Sequence, residues 1–153
     1  MTFSCCLATP VGPLTLTATE RALTAVDFGA ADGLPAAAWP PVLHRAAQEL
    51  GEYFAGRRTV FTVPLAPQGT PFQQEVWAAL QRIPYGTTCS YADLARAIGR
   101  PKACRAVGMA NHRNPIPILI PCHRVVGADG SLTGYASGLV IKSCLLQLEL
   151  RFR

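Results

Sequence analysis

Cys122, His123 and Arg124 stand in a row at the end of an apolar run, in the segment ILIPCHRVVG over 118–127. A thiol reacts as its thiolate, and a neighbouring base or cation raises the thiolate fraction. A cysteine that follows an apolar strand is otherwise an ordinary core residue. Read as a strand, the segment sends Cys122 and His123 to opposite faces, which disfavours a direct thiol–imidazole contact. A turn or a bridging water has to connect them, since a base can act through one water. The imidazole also needs a third group to orient it. The acids after position 93 are Asp129 and Glu149. Glu149 lies in GLVIKSCLLQLEL (138–150), whose apolar pattern predicts a helix packed on the core. A carboxylate near the inner face of that helix could hold His123.

Other metal or thiol chemistry has less support. The six cysteines, at 5, 6, 89, 104, 122 and 144, include no CxxC pair. Cys5 and Cys6 with His44 make too sparse a set for structural zinc, so no metal is expected. The N-terminal residues lack a charged segment followed by a long apolar one, which argues against secretion and for the cytoplasm with reduced thiols. No apolar stretch reaches the length needed to span a bilayer. The chain has 153 residues, half of them hydrophobic and only 15% charged, enough for a sizeable core and too apolar for disorder.

The elements that must position Cys122 can be read locally. FSCCLAT, LTLTAT and LTAVDFG predict three short strands separated by turns. PPVLHRAAQELGEYFAGR predicts a helix ended by Gly56, and TVFTVPL one more strand. Residues 1–63 thus form a small α+β domain, with PLAPQG as a linker. Residues 64–153 read as mostly helical. Thr70, Pro71 and Gln73 open a helix with a capping box, and Phe72, Val76, Leu80 and Ile83 supply its apolar stripe. Ser90 and Gly99 bound a second helix, and PKACRAVGMAN follows almost at once. Two short helices joined by GRP predict a helix-turn-helix, winged-helix-like in its class. On the second of them, Ala103, Ala106, Val107 and Ala110 share the expected inner face. Lys102, Arg105 and Met109 share another, free to meet a partner. Ala103 and Gly108 thin the wall of this helix, so that its backbone can approach a ligand closely.

The charge is uneven. Residues 1–62 carry four arginines against five acids, a balance of −1, so the rest of the chain holds +6 of the net +5. No acid occurs between Asp93 and Asp129, while Arg96, Arg100, Lys102, Arg105, Arg113 and Arg124 fall in that window. A one-sided basic field suits a polyanion.

The stretch from GTPFQQEVW through SYADLARAIGRPKACRAVGMANHRNPIPILIPCHRVV to CLLQLE, about 69–149, resembles the C-terminal domain of the O6-alkylguanine-DNA alkyltransferases, the methylated-DNA–protein-cysteine methyltransferases. PCHRV after NPIPILI is the most specific part. The first 63 residues suit that family's small ribonuclease-H-like domain. The resemblance implies that Cys122 takes an alkyl group irreversibly from O6 of guanine, with His123 as base through a water and Glu149 orienting it. It implies that Tyr91 assists the departing guanine and that Arg105 fills the gap left by a flipped nucleotide, with the helix in the minor groove. Ala103, Gly108, Lys102 and Arg124 are the further expected DNA contacts. Asn114, Pro117, Val125, Tyr135 and Ala136 are the expected pocket residues. The implied partner is double-stranded DNA carrying O6-alkylguanine, bound by a monomer with no cofactor and no membrane. Ala136 and Ser137, where relatives carry serine and glycine, are expected to reshape the pocket rim, and Leu150 stands where glycine is frequent. Three rivals fit less well, one of them a cysteine hydrolase, which the adjacency of Cys122 and His123 disfavours. A DNA-binding regulator leaves the residues around Cys122 unexplained, and an alkyltransferase-like binder would lack the acceptor cysteine.

Overall fold

The structure, a computed structural model, describes every residue except Thr133, Gly134, Ala136 and Ser137. The expected pocket-rim positions Ala136 and Ser137 therefore lie outside the described residues. The chain divides into two compact units, Met1–Gln68 and Gly69–Arg153.

In the first unit, β1 (Phe3–Leu7), β2 (Leu14–Ala18) and β3 (Leu23–Phe28) form an antiparallel sheet in sequence order. The helix α1 (Pro41–Phe54) buries Val42, Leu43, Ala46, Glu49, Leu50 and Tyr53 along one stripe. The strand expected over TVFTVPL does not form. The buried carboxylate of Glu49 accepts from the Thr62 and Val63 backbone N–H groups at 2.9 and 3.1 Å, and from the Thr62 hydroxyl at 2.5 Å. Those donors are thus taken by a side chain instead of a neighbouring strand. Only Leu65 bridges β3, opposite Leu23. The hydrogen bonds from Leu23 to Pro64 and from Ala66 to Leu23, both 2.8 Å, tie the expected linker to this unit.

The second unit begins with α2 (Pro71–Leu80), capped by Thr70 and Gln73 in a reciprocal capping box. A Cβ at Gly69 would run into the Trp77 ring, so only glycine fits that entry. Trp77 in turn donates its indole N–H to the Ala110 carbonyl at 2.9 Å, binding α2 to α4. Next come β4 (Cys89–Ser90), α3 (Tyr91–Ala97) and α4 (Cys104–His112). Ser90 and Asp93 form a second capping box, and Gly99 leaves α3 at φ 73°. These consecutive packed helices are the expected helix-turn-helix pair. Pro101 and Lys102 lie in the turn, and Ala106 is exposed, not on the inner face. The buried stripe of α4 is Val107, Ala110 and Asn111, spaced at i, i+3 and i+4, and this rotates Ala106 outward.

The apolar run before Cys122 is not a strand. Pro117 and Pro121 have no N–H to give a ladder, and Ile118 turns the chain at φ 75°. Residues Cys122–Arg124 make one 3₁₀ turn, closed from Arg124 N–H to the Pro121 carbonyl at 3.0 Å. The two-residue β5 (Val125–Val126) then pairs in parallel with β4, and α5 (Leu139–Phe152) ends the chain. Among the described residues no helix is long and apolar enough to cross a membrane.

Candidate active site at the Cys122 turn

The turn carrying Cys122 is folded by asparagines. Asn114 donates to the Ile120 carbonyl at 2.8 Å and accepts from the Ile116 N–H at 3.0 Å. The polar side chains of Asn114 and Tyr135 also favour the ionised form of the Cys122 thiol. Asn111, buried on α4, reaches the Cys122 carbonyl at 3.5 Å. Cys122 is only 4% exposed. Burial pushes its thiol up, against the pull of Asn114, Tyr135 and the charge of Lys142. The resting sulfur is therefore protonated, and any reaction has to remove that proton.

His123 is fully buried beside it. Its Nε2 meets Glu149 Oε2 at 2.6 Å, while its Nδ1 has no hydrogen-bond partner among the described residues. Burial lowers the affinity of the imidazole for a second proton. Glu149 opposes that shift, and Arg124 and Lys142 add to it. For a neutral imidazole against an ionised carboxylate, the ring proton sits on Nε2, and Nδ1 keeps its lone pair. Burial alone would raise the Glu149 carboxyl, but hydrogen bonds from His123 and Arg124 outweigh it and hold the group at about 2.

Arg124 departs from expectation. The sequence reading put it on DNA phosphates, yet the side chain is buried and committed within the protein. It donates from Nε to Glu149 Oε1 at 2.8 Å, from Nη2 to Oε2 at 3.0 Å, and from Nη1 to the Ile83 carbonyl at 2.7 Å. Its partner lies 25 residues further along, which no local pattern reveals. A fourth donor, the Gly86 N–H, reaches Glu149 at 3.2 Å.

Two family models match the chain. One, described as the 6-O-methylguanine DNA methyltransferase ribonuclease-like domain, covers residues 5–67, and the other, the DNA binding domain of the same proteins, covers 71–151. The chain belongs to the 6-O-methylguanine DNA methyltransferase family. A methylated-DNA–protein-cysteine methyltransferase of Methanosarcina barkeri is 50% identical over 148 residues, with 94% of each chain covered. The constitutive enzyme of Bacillus subtilis is 60% identical over 110 residues, covering 71% of this chain and 67% of its own. The crystal structure of the Mycobacterium tuberculosis O6-methylguanine methyltransferase matches with a TM-score of 0.89 at 44% identity, covering all of this chain and 95% of that one. A crystal structure of the M. tuberculosis protein OGT in complex with DNA matches with a TM-score of 0.86 at 46% identity, covering 96% and 92%.

Within this member of the methyltransferase family, the other sequence-derived residues divide into two groups. Tyr135, Pro117 and Val125 are buried, and Asn114 is half-buried. Tyr91 opens α3 and is half-buried, and its ring lies 3.6 Å from where a Cβ on Gly108 would stand. Gly108 thus faces the Tyr91 ring at a distance that a methyl group would fill as an ordinary contact. On α4 and the turn before it, Lys102 and Arg105 are exposed and Ala103 is half-buried. Lys142 was missed. It is fully buried, with its charge felt at Cys122, and burial lowers its proton affinity. Helical spacing held a signal for it, because Lys142, Leu145 and Glu149 are the buried residues of α5 at i, i+3 and i+7.

Proposed function

We propose that the chain is a DNA repair protein that moves an alkyl group from O6 of guanine in DNA to the sulfur of Cys122. The observation that carries this reading is the bare Nδ1 of a buried, neutral His123 whose proton is held on Nε2 by Glu149. That nitrogen is the base for the Cys122 proton, acting through a bridging water. The thiolate attacks the alkyl carbon, the S–C bond forms, and the C–O6 bond breaks with its electron pair leaving on guanine. Tyr91 supplies a hydrogen bond or proton to the departing base. The product is a thioether with no easy leaving path, so each chain reacts once.

A base stacked in a duplex cannot present O6 to a buried thiol, so the nucleotide has to be extruded. Arg105, exposed on α4, fills the space it leaves, and the thin wall at Ala103 and Gly108 lets the helix enter the minor groove. Damage arises in any sequence, so binding leans on phosphates and shape. Intact-mass measurement and peptide mapping after incubation with duplex DNA containing O6-methylguanine test the reading. One added methyl per chain, on Cys122, is expected. Label on another cysteine, or repeated turnover by one chain, would overturn it.

A further inference from the structure

Arg124 grips Glu149 with two parallel donors, in the fork geometry by which arginine recognises carboxylates. The same carboxylate holds the Nε2 side of His123 at 2.6 Å. One buried anion is therefore shared between a permanent cation and the base of the transfer step. The third guanidinium contact, to the Ile83 carbonyl at 2.7 Å, fixes Arg124 from the opposite side. Its guanidinium also stands 5.7 Å from the centre of the Tyr85 ring.

We propose that Arg124 is a positioning residue of the transfer site: by sharing Glu149 it fixes the carboxylate against His123 and offsets its charge, so that His123 serves as a base and not as a resting imidazolium. This inference rests on the alkyl-transfer reading above.

The argument is one of charge balance. A buried carboxylate facing an imidazole alone draws a second proton onto it and makes an ion pair. The proton acceptor at Nδ1 is then lost. With Arg124 in place the Glu149 charge is already met. The charged groups felt at His123 are Glu149 and Lys142 on α5 and Arg124 on its own turn, where Cys122 is its neighbour; Tyr85 and Tyr135, on the flanking loops, face the same cluster through Glu149. Of these, Glu149 favours the imidazolium, while Arg124 and Lys142 oppose it, after burial itself. Arg124 touches Glu149 directly, through two hydrogen bonds.

The test is the pH profile of single-turnover methyl transfer from saturating O6-methylguanine duplex, measured for the wild type, Arg124→Met and Arg124→Lys. The acid limb should move to higher pH by about one unit in Arg124→Met. That is about a tenfold loss on the acid side and little loss at alkaline pH. Arg124→Lys restores a cation without the fork, and its limb should return toward the wild type. Uniform loss at every pH, with the limb unmoved in either variant, would overturn the proposal. Nitrogen-15 NMR of His123 in the wild-type protein gives an independent reading that needs no variant to fold. A neutral ring with bare Nδ1 at pH 7 is expected, and an imidazolium there would overturn the proposal by itself. Failure of wild-type Cys122 to take up methyl would instead remove the transfer reading, and the NMR result would still decide the state of His123.

Discussion

Glu149 accepts from His123, from two nitrogens of Arg124 and from the Gly86 N–H, and it is 1% exposed. A carboxylate so fully satisfied makes the fold acid-sensitive in a defined window. Its folded value, about 2, lies below the ordinary 4.5. Its contribution is therefore complete above pH 4.5 and lost as pH falls toward 2. The depressed buried His123 acts with the same sign, beginning below about pH 6.5. Unfolding free energies from urea titrations between pH 7 and pH 3 should fall, with about 2 kcal/mol attributable to Glu149. Glu149→Gln leaves the buried Arg124 guanidinium without its anion and should cost about 3–5 kcal/mol at pH 7. The same variant should flatten the acid dependence, and equal acid slopes in both proteins would contradict the assignment. The residues of this cluster were unequally legible. Cys122 and His123 announced themselves by type and adjacency. Arg124 looked like a surface cation because nothing local marks a partner on another helix, and Lys142 hid inside an apolar pattern.

The elements follow the rule that local devices can be read and tertiary ones cannot. Thr70 with Gln73 and Ser90 with Asp93 lie within four residues of one another, so both helix starts were visible. The strand at TVFTVPL was misread because a buried Glu49, thirteen residues earlier, accepts its N–H groups. The run before Cys122 was misread because its prolines break what apolar composition suggests. Two element-scale predictions concern α4. Gly108→Ala places its Cβ at ordinary contact distance, 3.6 Å, from Tyr91. It should raise stability by about 0.5–1 kcal/mol through helix propensity, read as a higher urea midpoint. A lowered midpoint would mean that Tyr91 cannot accept the methyl. Arg105→Ala should slow transfer from duplex DNA markedly and leave transfer from the free modified base nearly unchanged. Equal losses on both substrates would refute its place in the vacated stack.

At the scale of the whole molecule, the acid-free window is less basic in practice than in sequence. Arg124 is inside, Arg96 pairs with Asp93, and Arg100 pairs with Glu75 at 3.3 Å. Lys102, Arg105 and Arg113 remain exposed without an ion pair among the described residues. Each phosphate neutralised contributes about −0.9 to the slope of log affinity against log salt, so three contacts give a slope of about −3. Titration of a fluorescent duplex at several salt concentrations reads this slope, and Arg124→Lys should leave it unchanged. Burial also sorts the thiols. Cys6, Cys104 and Cys144 are exposed, Cys5 and Cys89 are pushed up to about 11, and Cys122 is sealed at 4% exposure. Maleimide or peroxide should mark the exposed three and spare Cys122 until the chain is unfolded, whereas damaged DNA should mark Cys122 alone. Solvent chemistry and the lesion thus rank the same six sulfurs in opposite orders. On this ranking, chance oxidants would spend themselves on Cys6, Cys104 and Cys144, and the sulfur at Cys122 would be held back for a guanine delivered to it.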